Sequence, residues 1–290
     1  MELARKTESL GYGALTMPDH FTDQLAPLPA LTAAAMATST LRIGALVWDN
    51  DYKHPVVFAK EMATLDVLSD GRLDLGIGAG WMITDYEQSG IPYESAGTRI
   101  DKMIEGIDIM KGCFAQGPFS YAGKHYTITN YNGMPKPVQG SCPPILIGGG
   151  GKRVLTYAAK VADIVGINAT MSAGAVGPEA ISTMTAEAVD AKVDIVREAS
   201  GDRIKDIEMN IRAFLVNVTD DAEGAISRLA KGMGVEESMV ANTPFALMGP
   251  PSKLIEDLLA RRERWGFSYV IVGGEDVEAF APVVAALAGK

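Results

Sequence analysis

Apolar residues recur along this chain in two alternating patterns. Short β-branched runs, strand-like in composition, alternate with longer stretches whose apolar positions return every three or four residues, as on one face of a helix. The pattern predicts a helix over residues 1–10 stopped at Gly11, a short strand over 14–17, and an alanine-rich helix over 28–38. A strand over 41–47, a helix over 56–68 that begins just after Pro55, and a strand over 73–77 follow. The helix predicted over 99–114 carries Ile100, Met103, Ile104, Ile107 and Met110 on one face. Residues 117–143, rich in Gly, Pro, Tyr and Asn, break the rhythm and read as an insertion, with hairpin-like alternation over 120–128. The alternation then resumes with a strand over 144–147, a helix over 152–161 and a strand over 163–167. After a flexible segment at 169–184 come a helix to residue 200, a strand over 207–218 and a helix over 222–231. Residues 232–250 read as a loop or broken helix, followed by a helix over 252–265, a strand over 269–272 and a last helix over 276–287.

Strands separated by helices throughout indicate parallel βαβ units, an α/β fold. Seven strands can be counted, near residues 14, 41, 73, 144, 163, 207 and 269. A closed barrel of this kind needs about eight. Either a first strand is missing from the chain, which opens on a helix, or the sheet is open and doubly wound. No linker divides the sequence, so a single domain over residues 1–290 is expected.

The 290 residues, 47% of them hydrophobic, suffice for a large core. A formal charge of −10 argues against a nucleic-acid or anionic-membrane surface. No run of about 18 apolar residues appears, and the N-terminus lacks a signal-peptide core, so a cytoplasmic protein is expected. Cys113 and Cys142 have no metal or redox spacing, and His20, His54 and His125 form no ligand pair, so no metal is expected.

Candidate chemistry gathers where strands end. Asp19 and His20 follow the strand over 14–17, at the carboxyl end where α/β folds build sites. A histidine there can exchange protons near neutrality, although a helix-capping Asp19 beside a surface histidine is the plainer reading. Gly76, Gly78 and Gly80 resemble a dinucleotide fingerprint but have the wrong spacing; close packing or close approach of a flat ligand are the alternatives. Gly148, Gly149, Gly150 and Gly151, followed by Lys152 and Arg153, end a strand and open a helix. Their amides and the helix N-terminus form an anion site suited to a phosphate ester. Leu46, Val47, Trp48, Asp49 and Asn50 end another strand. His54, before a proline at a helix start, reads as structural. No motif supports a nucleophilic hydrolase.

Taken together, these stretches resemble the bacterial luciferase-like monooxygenase superfamily and, within it, the coenzyme F420-dependent oxidoreductases of actinobacteria. The resemblance is carried by Ala4-Arg5-Lys6 with Gly11-Tyr12, Pro18-Asp19-His20-Phe21, Leu41-Arg42-Ile43-Gly44 with His54-Pro55, and Ala63-Thr64-Leu65-Asp66 with Ser69-Asp70-Gly71-Arg72-Leu73. Leu75-Gly76-Ile77-Gly78-Ala79-Gly80-Trp81, Pro144-Ile145-Leu146-Ile147-Gly148-Gly149-Gly150 and Ala162-Asp163-Ile164-Val165-Gly166 extend it. The resemblance implies a TIM (β/α)8-type barrel with an insertion near 117–143 and its first strand absent from this chain. It implies a deazaflavin or flavin ring against Leu46 and Val47, joined by a cis peptide bond, with Asn50, Gly80 and Trp81 among the cofactor contacts. Gly148, Gly149, Gly150, Gly151, Lys152 and Arg153 match the phosphate cradle. His20 would hold or move a proton, and Asp19 would contact the cofactor or orient His20. The sugar-phosphate dehydrogenases of this branch carry a glutamate where this chain has Trp81, which points to a flatter, more apolar substrate. The implied function is hydride transfer between F420 and a small organic molecule, in a homodimer. The alternatives are an FMN-dependent monooxygenase of the same fold and a non-catalytic flavin- or deazaflavin-binding protein.

Overall fold

A computed structural model describes residues 1–290. The strands, in chain order, are β1 (Ala14–Met17), β2 (Arg42–Ala45), β3 (Trp48–Asp49), β4 (Leu73–Gly78), β5 (Phe119–Ala122), β6 (Thr127–Tyr131) and β7 (Ile145–Gly149). They continue with β8 (Ile164–Ile167), β9 (Glu208–Arg212), β10 (Leu215–Val218), β11 (Ala246–Gly249) and β12 (Phe267–Ile271). Contacts divide the chain into two compact units. The first comprises Met1–Arg5, Ala14–Gly148 and Met171–Ala175; the second comprises Lys6–Gly13, Gly149–Thr170 and Val176–Lys290.

In the first unit β1, β2, β4 and β7 lie side by side in that order, all parallel. Every residue of β4 is buried, as a parallel strand covered on both faces requires. Between β2 and β3 the chain bulges through Leu46 and Val47, whose peptide bond is cis. This bulge explains two of the neighbouring glycines. A Cβ on Gly76 would stand 2.0 Å from the Ala45 carbonyl oxygen, and one on Gly78 2.6 Å from Val47 Cγ2. The glycine run at the end of β4 therefore makes room for the bulge, the close-packing alternative. The helix Pro55–Leu68 is capped by His54, whose Nδ1 accepts from the Val56 amide at 3.3 Å, so this histidine is structural as expected.

The insertion forms the antiparallel hairpin β5–β6. Glu105, on the helix Ala96–Phe114, accepts the backbone N–H groups of Lys124, His125 and Tyr126 at 2.8, 3.0 and 3.1 Å and so pins the hairpin turn. The far end of the insertion is tied to Asp66, fully buried on the helix Pro55–Leu68. Its carboxylate accepts from the Val138 amide (2.7 Å), the Gln139 amide (3.2 Å) and Gln139 Nε2 (2.7 Å). Asp66→Ala leaves these donors without an acceptor and is expected to cost about 3 kcal/mol. Urea unfolding checks this value, and protease cleavage within 117–143 should accelerate in parallel.

In the second unit β8, β9 and β12 pair in parallel. The single strand expected over 207–218 is two. The Ala213 amide donates to Ile271 O of β12, whereas those of Phe214 and Leu215 both donate to Phe245 O. The chain changes partner there, and β10 pairs with β11 instead. β11 and the helix Glu237–Asn242 occupy the stretch expected to be a loop or broken helix. All four residues of β11 are buried, and none is β-branched or aromatic, so the run lacks the composition that marks a strand. Leu247, Leu254, Leu258, Phe280, Val283 and Val284 form a core cluster of this unit. No helix is long and apolar enough to cross a membrane.

Candidate functional site

The first unit gathers polar chemistry beyond the ends of β1, β3 and β4. His20 lies three residues past β1. Its Nδ1 is 2.6 Å from Oδ2 of Asp85, on the helix Ile83–Ser89. Asp85 is 2% exposed and also accepts from the Phe21 amide at 3.2 Å and the Tyr52 hydroxyl at 3.1 Å. These contacts fix the carboxylate, and the carboxylate fixes the imidazole. Nε2 is the ring nitrogen that this contact leaves over. Trp81 meets the His20 ring edge-on at 5.7 Å, and Phe21 stacks on Tyr52 at 4.6 Å.

Asp19 does not orient His20, one of the two roles expected of it. Its Oδ2 instead accepts the Asp49 amide at 3.2 Å. Asp49 in turn accepts from the Asp51 amide (2.9 Å) and the Tyr86 hydroxyl (2.9 Å). Burial raises the carboxyls of Asp19 and Asp51 above the usual range, and pushes that of Asp49 up to about 7. Burial likewise raises the hydroxyls of Tyr52 and Tyr86. Of these carboxyls, Asp49 is thus able to keep a proton close to neutral pH.

The shift of Asp49 carries a stability consequence with a definite sign. Between pH 3.8 and about 7 the folded chain keeps a proton on Asp49 that the unfolded chain has lost. The fold therefore loses stability through this residue as pH rises across that window. Asp49→Asn should remove that part of the slope. Urea midpoints at about pH 5 and about pH 7.5 check it: the variant gains on the parent at the higher pH.

Gly80 sits in the left-handed region, with φ 71°, and packs directly on this network. A Cβ there would come 1.9 Å from the Tyr86 hydroxyl and 2.4 Å from Asp49 Oδ2. The guanidinium of Arg99, 4% exposed, donates to the Ala79 and Gly80 carbonyls at 3.2 and 3.4 Å and lies 4.2 Å over the Tyr93 ring. Val47 faces Gly76, Gly78 and Gly148; Gly148 has ordinary contact room, 3.7 Å to Val47 Cγ1. Asn50, expected among the cofactor contacts, is 3% exposed and turns its side-chain oxygen onto Gly106 of the helix Ala96–Phe114. It therefore offers no open surface to a ligand.

In the second unit Gly149, Gly150 and Gly151 lead into the helix Lys152–Val161. Gly151, at the N-cap of this helix, has no side chain to cap its first-turn amides. Gly150 has no room for a side chain: a Cβ would stand 2.2 Å from Ala169 O and 2.6 Å from Asn168 O. Beside Gly151 there is open space within 4 Å. Lys152 and Arg153 are exposed. Uncapped amides, an adjoining gap and two nearby cations fit a phosphate ester. No cluster of three or more His, Cys, Asp or Glu side chains is arranged to hold a metal ion.

Within the first unit the structure thus brings together His20 and Trp81, Asp19 and Asp49, and Val47 and Gly148. Asp85, Tyr52, Tyr86 and Arg99 escaped sequence reasoning. A faint signal existed for the helix that carries Asp85 and Tyr86: Ile83 and Tyr86 are spaced for one helical face, and Gly90 ends it in the left-handed conformation.

Residues 1–269 match the luciferase-like monooxygenase family. An FMNH2-dependent dimethylsulfone monooxygenase of Pseudomonas putida is 27% identical over 221 residues, 76% of this chain and 54% of that protein. The chain thus spans about half the length of the curated relatives it matches. The coenzyme F420-dependent tetrahydromethanopterin reductase of Methanopyrus kandleri superposes with TM-score 0.77 at 19% identity, over 98% of this chain and 93% of that one. An F420-dependent secondary alcohol dehydrogenase, solved with an F420–acetone adduct, gives TM-score 0.77 at 18% identity, over 99% and 92%. These likenesses establish the α/β fold as that of the luciferase-like TIM-barrel type.

Proposed function

The chain belongs to the luciferase-like monooxygenase family, and from that premise we propose that it is an F420-dependent oxidoreductase acting on a small, flat organic molecule. The observation that carries the reading is the His20–Asp85 pair, edge-on to Trp81 in the first unit. When bound, the deazaflavin supplies or accepts a hydride. The chain's own part is to position and to manage protons. Val47 with its flanking glycines offers a flat apolar face to a ring, and Arg99 holds the Ala79 and Gly80 carbonyls in place. The amides that follow Gly149, Gly150 and Gly151, with Lys152 and Arg153, would hold the phosphate. His20, held at Nδ1 by Asp85, exchanges a proton at Nε2 with the substrate atom that gains or loses hydrogen. Trp81, Phe21 and Tyr52 supply aromatic surface suited to an apolar substrate.

A second reading, an FMN-dependent monooxygenase, is favoured by the dimethylsulfone monooxygenase relative. Oxygen uptake separates the two. With reduced FMN in air, the protein should consume no more oxygen than the free flavin. With reduced F420 and a panel of ketones and enones, cofactor oxidation should require protein and fall by about 10²- to 10³-fold in His20→Ala. Oxygen uptake that needs protein and reduced FMN, with no oxidation of reduced F420, would replace the first reading by the second.

A further inference from the structure

We infer that Lys192 is a positioning residue for anion binding at the Gly149–Gly150–Gly151 run, a step that rests on the phosphate reading above. Lys192 lies on the helix Ala186–Ser200 in the second unit and is 6% exposed. Its Nζ donates to Asn168 O at 2.7 Å and to Thr183 O at 2.8 Å. No carboxylate pairs with it. Two backbone carbonyls hold the ammonium, and its charge is not neutralised nearby.

Both of those carbonyls belong to the segment that grips the glycines. The Asn168 amide donates to Gly149 O at 2.9 Å. Asn168 O, the atom bonded by Lys192, lies 2.6 Å from where a Gly150 Cβ would be. The Thr170 hydroxyl donates to Gly150 O at 3.0 Å, and the Thr170 amide donates to the Thr183 hydroxyl at 2.9 Å. Lys192 thus stands directly behind Gly150, with one carbonyl between them, and locks the two ends of the loop that shapes the run.

Taking an unpaired ammonium out of water is costly. Burial alone draws this one down to about 8, so it is still charged at neutral pH. A buried cation in that place does two things. It orients Asn168 and Thr183, which together with Thr170 fix the glycine backbone. It also adds positive potential behind a helix N-terminus that already favours anions. A neutral side chain that still donates, such as glutamine, could do the first but not the second.

The test compares ligands with and without the phosphate. FMN is set against riboflavin, and F420 against its chromophore without the phosphate-bearing tail, by equilibrium fluorescence titration. Lys192→Met should weaken the phosphate-bearing member by about tenfold while moving the phosphate-free one by less than about twofold. Lys192→Arg, which keeps charge and donors, should recover most of the loss, and thermal melts confirm that both variants are folded. Equal weakening of both members, or no change in either, would overturn the inference and leave the phosphate reading standing. If the unaltered protein binds the phosphate-free and phosphate-bearing members equally, the phosphate reading itself fails and takes this inference with it.

Discussion

Asp85→Asn should lower turnover by about 10²- to 10³-fold with little change in cofactor affinity. The carboxylate is buried and accepts from His20, the Phe21 amide and the Tyr52 hydroxyl. An amide of the same shape offers one acceptor oxygen in place of two and introduces N–H donors facing groups that themselves donate. The imidazole then loses its fixed orientation and tautomer, the property that makes Nε2 useful. His20→Ala should cost about as much. The double variant should be little worse than either single one, because the two residues act as one unit. The measurement is protein-dependent oxidation of reduced F420 at saturating substrate, with melting curves as the folding control. Independent, multiplying losses would show that Asp85 does not act through His20.

Gly150→Ala should abolish cofactor binding, with a loss of about a hundredfold or more in affinity. The added methyl would stand 2.2 Å from Ala169 O and 2.6 Å from Asn168 O. Both are backbone atoms, and Asn168 is fixed by its own bond to Gly149 O and by Lys192. The loop cannot move aside without dragging the glycine amides with it. Gly151→Ala supplies the control. Nothing lies within 4 Å of its Cβ, so it should change affinity by less than about threefold unless the methyl meets the ligand itself. Titration of both variants with F420 reads the contrast. Tight binding by Gly150→Ala would show that the phosphate does not sit on this run.

What could be read from the sequence depended on how far apart the cooperating residues lie. His20, Leu46 with Val47, and the glycines after Ile147 each lie at a strand end and are local strings placed by the strand before them. The partner of His20 is 65 residues away, and the contact exists only once the helix Ile83–Ser89 is folded. The neighbouring Asp19 was the plausible substitute, but its carboxylate is taken by the Asp49 amide. The same holds for Lys192, whose acceptors Asn168 and Thr183 lie on a loop with no periodicity. In the fold, elements with regular apolar spacing were legible to within a few residues, as with Lys152–Val161. β11 was not, because Ala246-Leu247-Met248-Gly249 carries no β-branched or aromatic residue to mark a strand. The break between β9 and β10 was hidden too, because it reflects a change of hydrogen-bond partner and not of residue type.

Side-by-side equilibrium titration of the purified chain with F420 and with FMN tests the central claim most directly. Saturable binding of F420, markedly tighter than that of FMN and lost in Gly150→Ala, is the predicted result. Binding of FMN alone, or of neither, would contradict it.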